Sequence, residues 1–537
     1  MLNSDYLNYP HSSRRNTIFA KNGVVATSQP LAAQAGLRIL EKGGNAIDAA
    51  IATAAALTVV EPTSNGIGGD AFSIVYKDGK LSALNGSGRS PKSISAKKLK
   101  DKGYKKMGKY GWLPVTVPGV PGSWHALSDR FGELEFKELF APAIEYAEKG
   151  YPITPSLGYF WNRAYNSYKK NLKGEEFKNW FKTFVPKGRA PKIGEIWSSK
   201  DHAKSLKEIA ETKAKSFYKG KIADEIAAFS KKYNGYLSKE DLANFEVEWV
   251  DPIKVNYKGY DVWEIPPNGQ GLSALMALGI LKEYDFNERE SVERYHKQIE
   301  AMKLTMTDGK AYITDIEEMT YKVEELLADK YLDKRGNLIS DKALLPEAGK
   351  PEKGGTVYLA TADKNGNMVS YIQSNYMGFG SGLVVPNRGI ALQNRGHLFS
   401  LDEKDDNVLK GEKKTYHTII PGFLTKDDKA VGPFGVMGGY MQPQGHVQVI
   451  MNTVDFSLNP QASLDAPRWQ WMDDKKVIVE KDFPTNIARQ LARRGHNIEI
   501  KLNSGAFGRG QIIWRDNKNG VLRAGTEKRT DGSIAAY

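Results

Sequence analysis

Cysteine is absent from all 537 residues, which removes disulfides, thiolate metal sites, iron–sulfur clusters and a cysteine nucleophile together. Histidine is scarce. The eight present include no pair at the i, i+4 spacing of a helical zinc site, and no HExxH or EF-hand loop occurs, so no metal is expected. Long apolar runs are missing too. The most apolar stretch runs only from Ala49 to Val60 and is broken by Thr53 and Thr58, whereas a membrane span needs about 20 residues. The opening MLNSDYLNYPHSSRRN lacks the apolar core of a secretory signal, so a cytoplasmic, membrane-free protein is expected.

What is present reads as ordinary globular composition, with 40% hydrophobic, 10% aromatic and 26% charged residues. Lys+Arg number 76 against 63 Asp+Glu, a formal net charge of +13. The densest basic stretch, Lys92 to Lys109 with Tyr104, Tyr110 and Trp112 beside it, reads as a solvated loop. No recognised nucleic-acid motif accompanies it, and no nucleic-acid partner is expected.

Local signals place several elements. Pro30 opens a helical pattern closed by Gly43-Gly44, and Asn45 caps a second, AIDAAIATAAALTVV, rich in small residues. The turn Asn65-Gly66-Ile67-Gly68-Gly69-Asp70 follows a helix and opens a strand, the reverse of a dinucleotide loop. A hairpin through Asp78-Gly79 comes next. The pattern is mostly helical over 124–207, with aromatic faces at Tyr159, Phe160, Trp161 and Tyr165 assigned to core packing, and helical again over 271–283 and 292–328. Residues 331–355 are polar and rich in Lys, Gly and Pro, and read as an exposed linker. TVYLATA from Thr356 and MVSYIQS from Met368 form a hairpin pattern, followed by short strands and glycine turns to Gly389 and an apolar strand near Ile419.

No nucleophile elbow exists, because Gly86-Ser87-Gly88 lacks its spacing and context. A threonine at a new N-terminus is the other candidate. Its hydroxyl is weak alone, but its own α-amine, with an ordinary pKa of about 7.7–8.0, would serve as base. Thr356 opens a strand directly after Gly354-Gly355 and fits that plan, although a threonine beginning a strand is usually only a strand residue.

The sequence resembles the γ-glutamyltransferase (γ-glutamyltranspeptidase) family of N-terminal nucleophile hydrolases almost throughout. The matching pieces are GVVATSQPLAAQAGLRILEKGGNAIDAAIATAAALTVVEPTSNGIGGDAF from Gly23, VPGVPGSW from Val117, APAIEYAEKGYPITP from Ala141, IPPNGQG from Ile265, EAMKLTMTDGKAYITD from Glu300, GGTVYLATADKNGN from Gly354 and LDAPRW from Leu464. The resemblance implies an α+β fold, the αββα sandwich of two stacked antiparallel sheets flanked by helices, with no cofactor. It implies a precursor cut between Gly355 and Thr356 into a large, mostly helical segment 1–355 with strands near 71–84, and a small segment 356–537, which stay associated. A homo-oligomer is left open.

By the same resemblance Thr356 is the nucleophile, Gly438-Gly439 supply oxyanion N–H groups, and Ser374 takes the place of a threonine that hydrogen-bonds the nucleophile's amine. The glutamate-recognition positions depart from the family pattern. Ser87 stands where an arginine holds the α-carboxylate, with Arg89 two residues on. Leu398 stands where an aspartate meets the α-ammonium, in Asn394-Arg395-Gly396-His397-Leu398. Tyr376 replaces an asparagine, and His417-Thr418 replace a Ser-Ser pair. Leucine cannot pair an ammonium, whereas Arg395 and His397 favour an anion or a carbonyl.

The expected activity is therefore hydrolysis of a small-molecule amide through an acyl-enzyme, with three readings of the substrate question. The first is a γ-glutamyl or related acyl group. The second is a dicarboxylate or carboxamide lacking an α-ammonium, as in cephalosporin-acylase-like or oxamate-amidohydrolase-like members. The third is an uncut, catalytically silent binding protein.

Overall fold

Alternation of side chains along a few strands builds the centre of the molecule, for which a computed structural model describes residues 15–346 and 355–537. In the strand Gly355–Asp363, Tyr358, Ala360 and Ala362 join Phe72, Ile74 and Ile372 in one core, while Val357 and Leu359 enter another on the opposite face. That is the period of two expected of a strand buried on both sides.

Two seven-stranded sheets result. The first runs Ser533–Ala536, Gly23–Thr27, Gly355–Asp363, Met368–Tyr376, Asp70–Lys77, Lys80–Gly86 and Glu248–Val250. The second runs Ile18–Ala20, Leu522–Thr526, Arg509–Arg515, Lys429–Met437, Gly422–Lys426, Tyr260–Glu264 and Ile253–Tyr257. All pairings within both are antiparallel. The sheets meet face to face through the core containing Phe72, Tyr358, Ile372 and Phe423.

Helices cover both outer faces and complete the αββα sandwich. Ala46–Val60 lies on the first sheet with every residue buried, and its small side chains let it pack between the sheet and the next helix layer. Asn45 caps it by accepting the N–H groups of Ile47 and Asp48, and Asp48 returns the bond to Asn45 N–H, a reciprocal capping box. Gly271–Leu281 and Met441–Val454 cover the second sheet, and Val292–Tyr312 packs on them from outside.

Several local expectations need correction. The helical block expected over 292–328 stops at Tyr312; Ile313 turns extended, and a 3₁₀ turn and the short helix Val323–Leu326 follow. Residues 331–346 do not form the exposed linker expected from residue 331. Asp329–Gly336 is helical, and Leu332, Ile339 and Ala343 are buried, with Ala343 N–H bonded to Arg494 O at 2.8 Å. Residues 347–354 of that linker lie outside the described residues. The strand near Ile419 starts at Gly422, because Ile419 and Ile420 are buried in a loop and Pro421 has no N–H for a ladder. Between Met377 and Gly389 the only pairing is an isolated bridge, Val384 with Ala391. The basic stretch contains the short helix Ala96–Asp101, with Leu99 and Met107 buried; Tyr104 is exposed, but Trp112 turns inward onto Phe229. Of the aromatic faces, Trp161 is fully buried, while Tyr159 is exposed and receives Asn503 Nδ2–H.

One buried ion cluster ties the last strands to the helices. Glu527, fully buried, meets Arg468 at 2.9 Å and Arg529 at 2.6 Å and accepts Gly510 N–H at 2.9 Å. Burial pushes this carboxyl up, but the two guanidinium groups outweigh burial and hold it down at about 2. Glu527→Ala would leave the buried Arg468 without its carboxylate and Arg529 with Glu480 alone, so a loss of about 3–5 kcal/mol is expected, read as a lower midpoint in denaturant unfolding.

Candidate active site

The site begins as a row across the first sheet. Thr356 Oγ1 donates to Ser374 Oγ at 3.2 Å, and Ser374 pairs in register with Asp70 on the next strand. By the alternation that sends Tyr358, Ile372 and Phe72 into the intersheet core, Thr356, Ser374 and Asp70 lie on that same face. All three are buried. Beyond Ser374 the strand ends in Tyr376 at φ +72°, a left-handed conformation unusual for a bulky residue, stabilised by its N–H donating to Ser374 Oγ at 2.8 Å.

From Tyr376 a chain of contacts leads round to the opposite sheet. The Arg395 guanidinium stacks over the Tyr376 ring, 4.5 Å from its centroid, and its Nη1 donates to Thr418 Oγ1 at 2.6 Å. Gln270 Nε2 donates both to Thr418 O at 2.6 Å and to Gly439 O at 2.9 Å. Gly438 and Gly439 connect the strand Lys429–Met437 to the helix Met441–Val454. Both have positive φ, +141° and +62°, and a Cβ on Gly438 would lie 3.0 Å from Gly508 Cα. Glycine is required there by backbone conformation. Thr356, Ser374, Tyr376, Arg395, Thr418 and Gly439 are thus brought into one connected cluster.

Its electrostatics are set by burial. Asp70 is pushed up to about 7 by burial, against the pull of Arg395, the Gly88 and Gly119 N–H groups and Lys414. Its Oδ2 lies 3.2 Å from His417 Nε2, while His417 Nδ1 accepts Ile419 N–H at 3.4 Å. The ring therefore carries its proton on Nε2, and burial, aided by Arg395 and Lys414, holds it well below the usual histidine range. Arg395 is lowered to about 10 by burial, with Asp70 opposing the shift. Its Nε and Nη2 find no acceptor among the described residues.

Other residues singled out from sequence sit differently. Ser87 is buried at the edge of the cluster, donating to Asn85 Oδ1 at 2.7 Å and bonding to Asn268, whose backbone O accepts His417 N–H. Arg89 is half exposed and engaged elsewhere, at 2.8 Å from Asp315 and 3.1 Å from Glu248. A cavity of about 260 Å³ opens beside these two, lined also by Val117, Glu248 and Lys414. His397 turns toward the basic stretch, its Nδ1 3.1 Å from Met107 O, and Leu398 packs against the apolar core of the second sheet.

Among the described residues, His296, Glu300 and His496 are the side chains close enough to share a metal. They do not fit one, because the Lys303 ammonium already sits 2.7 Å from Glu300 as its counter-ion. His296 Nε2 bonds Ser340 O at 2.7 Å and Glu300 accepts Leu344 N–H at 2.8 Å, so the cluster anchors 340–344 to the helix Val292–Tyr312.

Sequence reasoning missed Asp70 and Gln270. A signal existed for each: a carboxylate closing a glycine turn at the head of an apolar strand, and an amide directly preceding the fully buried helix Gly271–Leu281.

An αββα sandwich with a buried threonine hydroxyl opening a central strand is the architecture of the N-terminal nucleophile hydrolases. The chain belongs to the gamma-glutamyltranspeptidase family, whose sequence profile matches residues 32–537. It is 33% identical over 531 residues to the glutathione hydrolase-like YwrD proenzyme of Bacillus subtilis (strain 168), covering 96% of this chain and 99% of that protein. It is 31% identical over 541 residues to the oxamate amidohydrolase proenzyme of Klebsiella pneumoniae, covering 98% and 100%. The crystal structure of cephalosporin acylase from Bacillus halodurans superposes with a TM-score of 0.97 at 60% identity, covering 100% of this chain and 99% of that one. The protein is thus an enzyme of an amide hydrolase and transpeptidase family, with amidohydrolase function. No helix among the described residues is long and apolar enough to cross a membrane.

Proposed function

We propose that the chain is a proenzyme that cuts itself between Gly355 and Thr356, and that the associated segments 1–355 and 356–537 hydrolyse amides whose acyl group carries a carboxylate but no α-ammonium. Thr356 Oγ attacks the amide carbon, its freed α-amine takes the hydroxyl proton and passes it to the departing amine, and water then opens the ester. The Gly438 and Gly439 N–H groups face the developing oxyanion. Ser374, 3.2 Å from Thr356 Oγ1, orients the nucleophile.

The observation carrying the substrate reading is Arg395, a buried guanidinium in contact with the nucleophile's neighbours and with two N–H-bearing nitrogens lacking acceptors. A buried cation with open donors is a carboxylate site. An ammonium is less well provided for: Leu398 lies in an apolar cluster, and although Asp70 Oδ1 has no hydrogen-bond donor among the described residues, its Oδ2 is engaged by His417 and its charge is already opposed by Arg395. Ser87 and Thr418 would line the acyl pocket, while the pairing of Arg89 with Asp315 and Glu248 favours a supporting role at the cavity mouth. His397, turned onto Met107 O, has no part in this reading. The relatives named for an acylase and for oxamate, whose amide adjoins a carboxylate, favour the same reading.

Glutaryl and γ-glutamyl p-nitroanilides differ only by the α-amino group and test it directly. The glutaryl compound is expected to give the higher kcat/KM; a clear preference for the γ-glutamyl compound would overturn the substrate assignment. Arg395→Gln should lower kcat/KM for the glutaryl anilide by about 10–100-fold, the value of hydrogen bonds to a charged group, and less for the butyryl anilide.

A further inference from the structure

Arg395 and Asp70 end on adjacent residues of one buried loop, the first on Thr418 and the second on His417. Each is the strongest opposite charge acting on the other. His417 is held neutral with both ring nitrogens occupied. Lys414, the next cation facing Asp70, is paired with Glu248 at 2.5 Å. Tyr218, which also faces Asp70, is kept a neutral phenol by burial. Asp70 is therefore the counter-charge of Arg395 while the acyl pocket is empty.

A substrate carboxylate on Arg395 would compete with Asp70 for that role. Two carboxylates against one guanidinium leave a surplus negative charge in a buried site, which is costly. Resting on the reading of Arg395 given above, we propose that Asp70 takes up a proton from solvent when an acyl carboxylate binds Arg395, and releases it when the acid product leaves. The proton lands on a carboxylate oxygen of Asp70 while His417 Nε2–H keeps its bond to Oδ2. Asp70 thereby becomes a specificity-positioning residue: it yields Arg395 to an anionic acyl group and keeps it engaged otherwise.

The direction with pH follows. Asp70 already titrates at about 7 with Arg395's help, and a bound carboxylate cancels that help and raises it further. Below about pH 7 Asp70 is mostly protonated before binding and little uptake occurs. Above it, each ligand carries in one proton and affinity falls by up to about tenfold per pH unit.

Glutarate binding to the wild-type, cleaved enzyme, followed calorimetrically in buffers of different ionisation enthalpy, reads the proton count directly. Uptake approaching one proton at about pH 8 is expected, with Kd rising up to about tenfold between about pH 7.5 and 8.5. Asp70→Asn should abolish both the uptake and the weakening, binding glutarate more tightly than wild type at the higher pH; Asp70→Ser repeats the test should the first variant fold poorly. Glutarate that binds without uptake overturns the proposal, as does uptake persisting in both variants, which would assign the proton to the Thr356 amine. Arg395→Gln separates the premises: undiminished glutarate binding there removes the carboxylate reading itself, whereas lost binding with no Asp70 effect removes only the coupling.

Discussion

Thr356→Ala is expected to remain one chain of 537 residues and to show no turnover, while wild type resolves into fragments of 355 and 182 residues. One hydroxyl is required twice. It must attack the Gly355 carbonyl to open the chain, and the threonine so released must attack the substrate with its own amine as base. In the uncut chain Thr356 Oγ1 is already held by Ser374 at 3.2 Å, on a buried strand that pairs with Met368–Tyr376 along most of its length. Separation of the fragments is not expected, because Gly355–Asp363 lies between Gly23–Thr27 of the large segment and Met368–Tyr376 of the small one. An intact-mass spectrum checks the cut, and size-exclusion chromatography of the undenatured protein checks that the fragments stay together. A cut and active Thr356→Ala protein would end the threonine mechanism, and an uncut wild type would remove the amine base and leave a binding protein.

The parts of the fold that were legible in sequence are those governed by neighbours in the chain. Pro30, Asn45 and the Asp78-Gly79 turn act within a few residues, and the helices and hairpin they announce are present. What composition hid is burial of polar residues by partners remote in sequence. Nothing local in the sequence marks Lys303 and Glu300 for burial, yet both are fully buried, paired with each other and holding residues 340–344. That anchoring is why residues 331–346 pack as structure although their polarity suggests an exposed linker.

The candidate site divides along the same line. Resemblance singled out Thr356, Ser374, Tyr376, Arg395, Thr418 and Gly439, and the fold brings these together from separate strands and loops beyond residue 355. Asp70 could be noticed only as an odd carboxylate at the head of an apolar strand. Its partnership with His417, 347 positions away, is a product of sheet register and loop closure, and no local pattern encodes it. The position of Arg89 shows the converse: two residues from Ser87 in sequence, it points to Asp315 and Glu248, because the strand has ended at Gly86 and two residues of extended chain carry a side chain about 6–7 Å further on.

Gly438→Val should lower kcat by about 10²–10³ while shifting KM much less, the signature of losing an interaction made chiefly in the transition state. Position 438 has φ +141°, which a β-branched residue resists, and a Cβ there already meets Gly508 Cα at 3.0 Å. Gly508 is itself at positive φ, hemmed by Met437 O, so neither backbone can give way easily. The displacement would therefore pass to the Gly438-Gly439 N–H groups, whose value depends on being fixed before charge develops. Gly439 O is tied through Gln270 to Thr418 and hence to Arg395, so a neighbouring disturbance could instead reach the acyl pocket. The kinetic constants separate the two routes. A fall confined to kcat locates the damage at the oxyanion, a rise confined to KM locates it at Arg395, and the intact mass of the variant shows whether it had been cut before it was assayed.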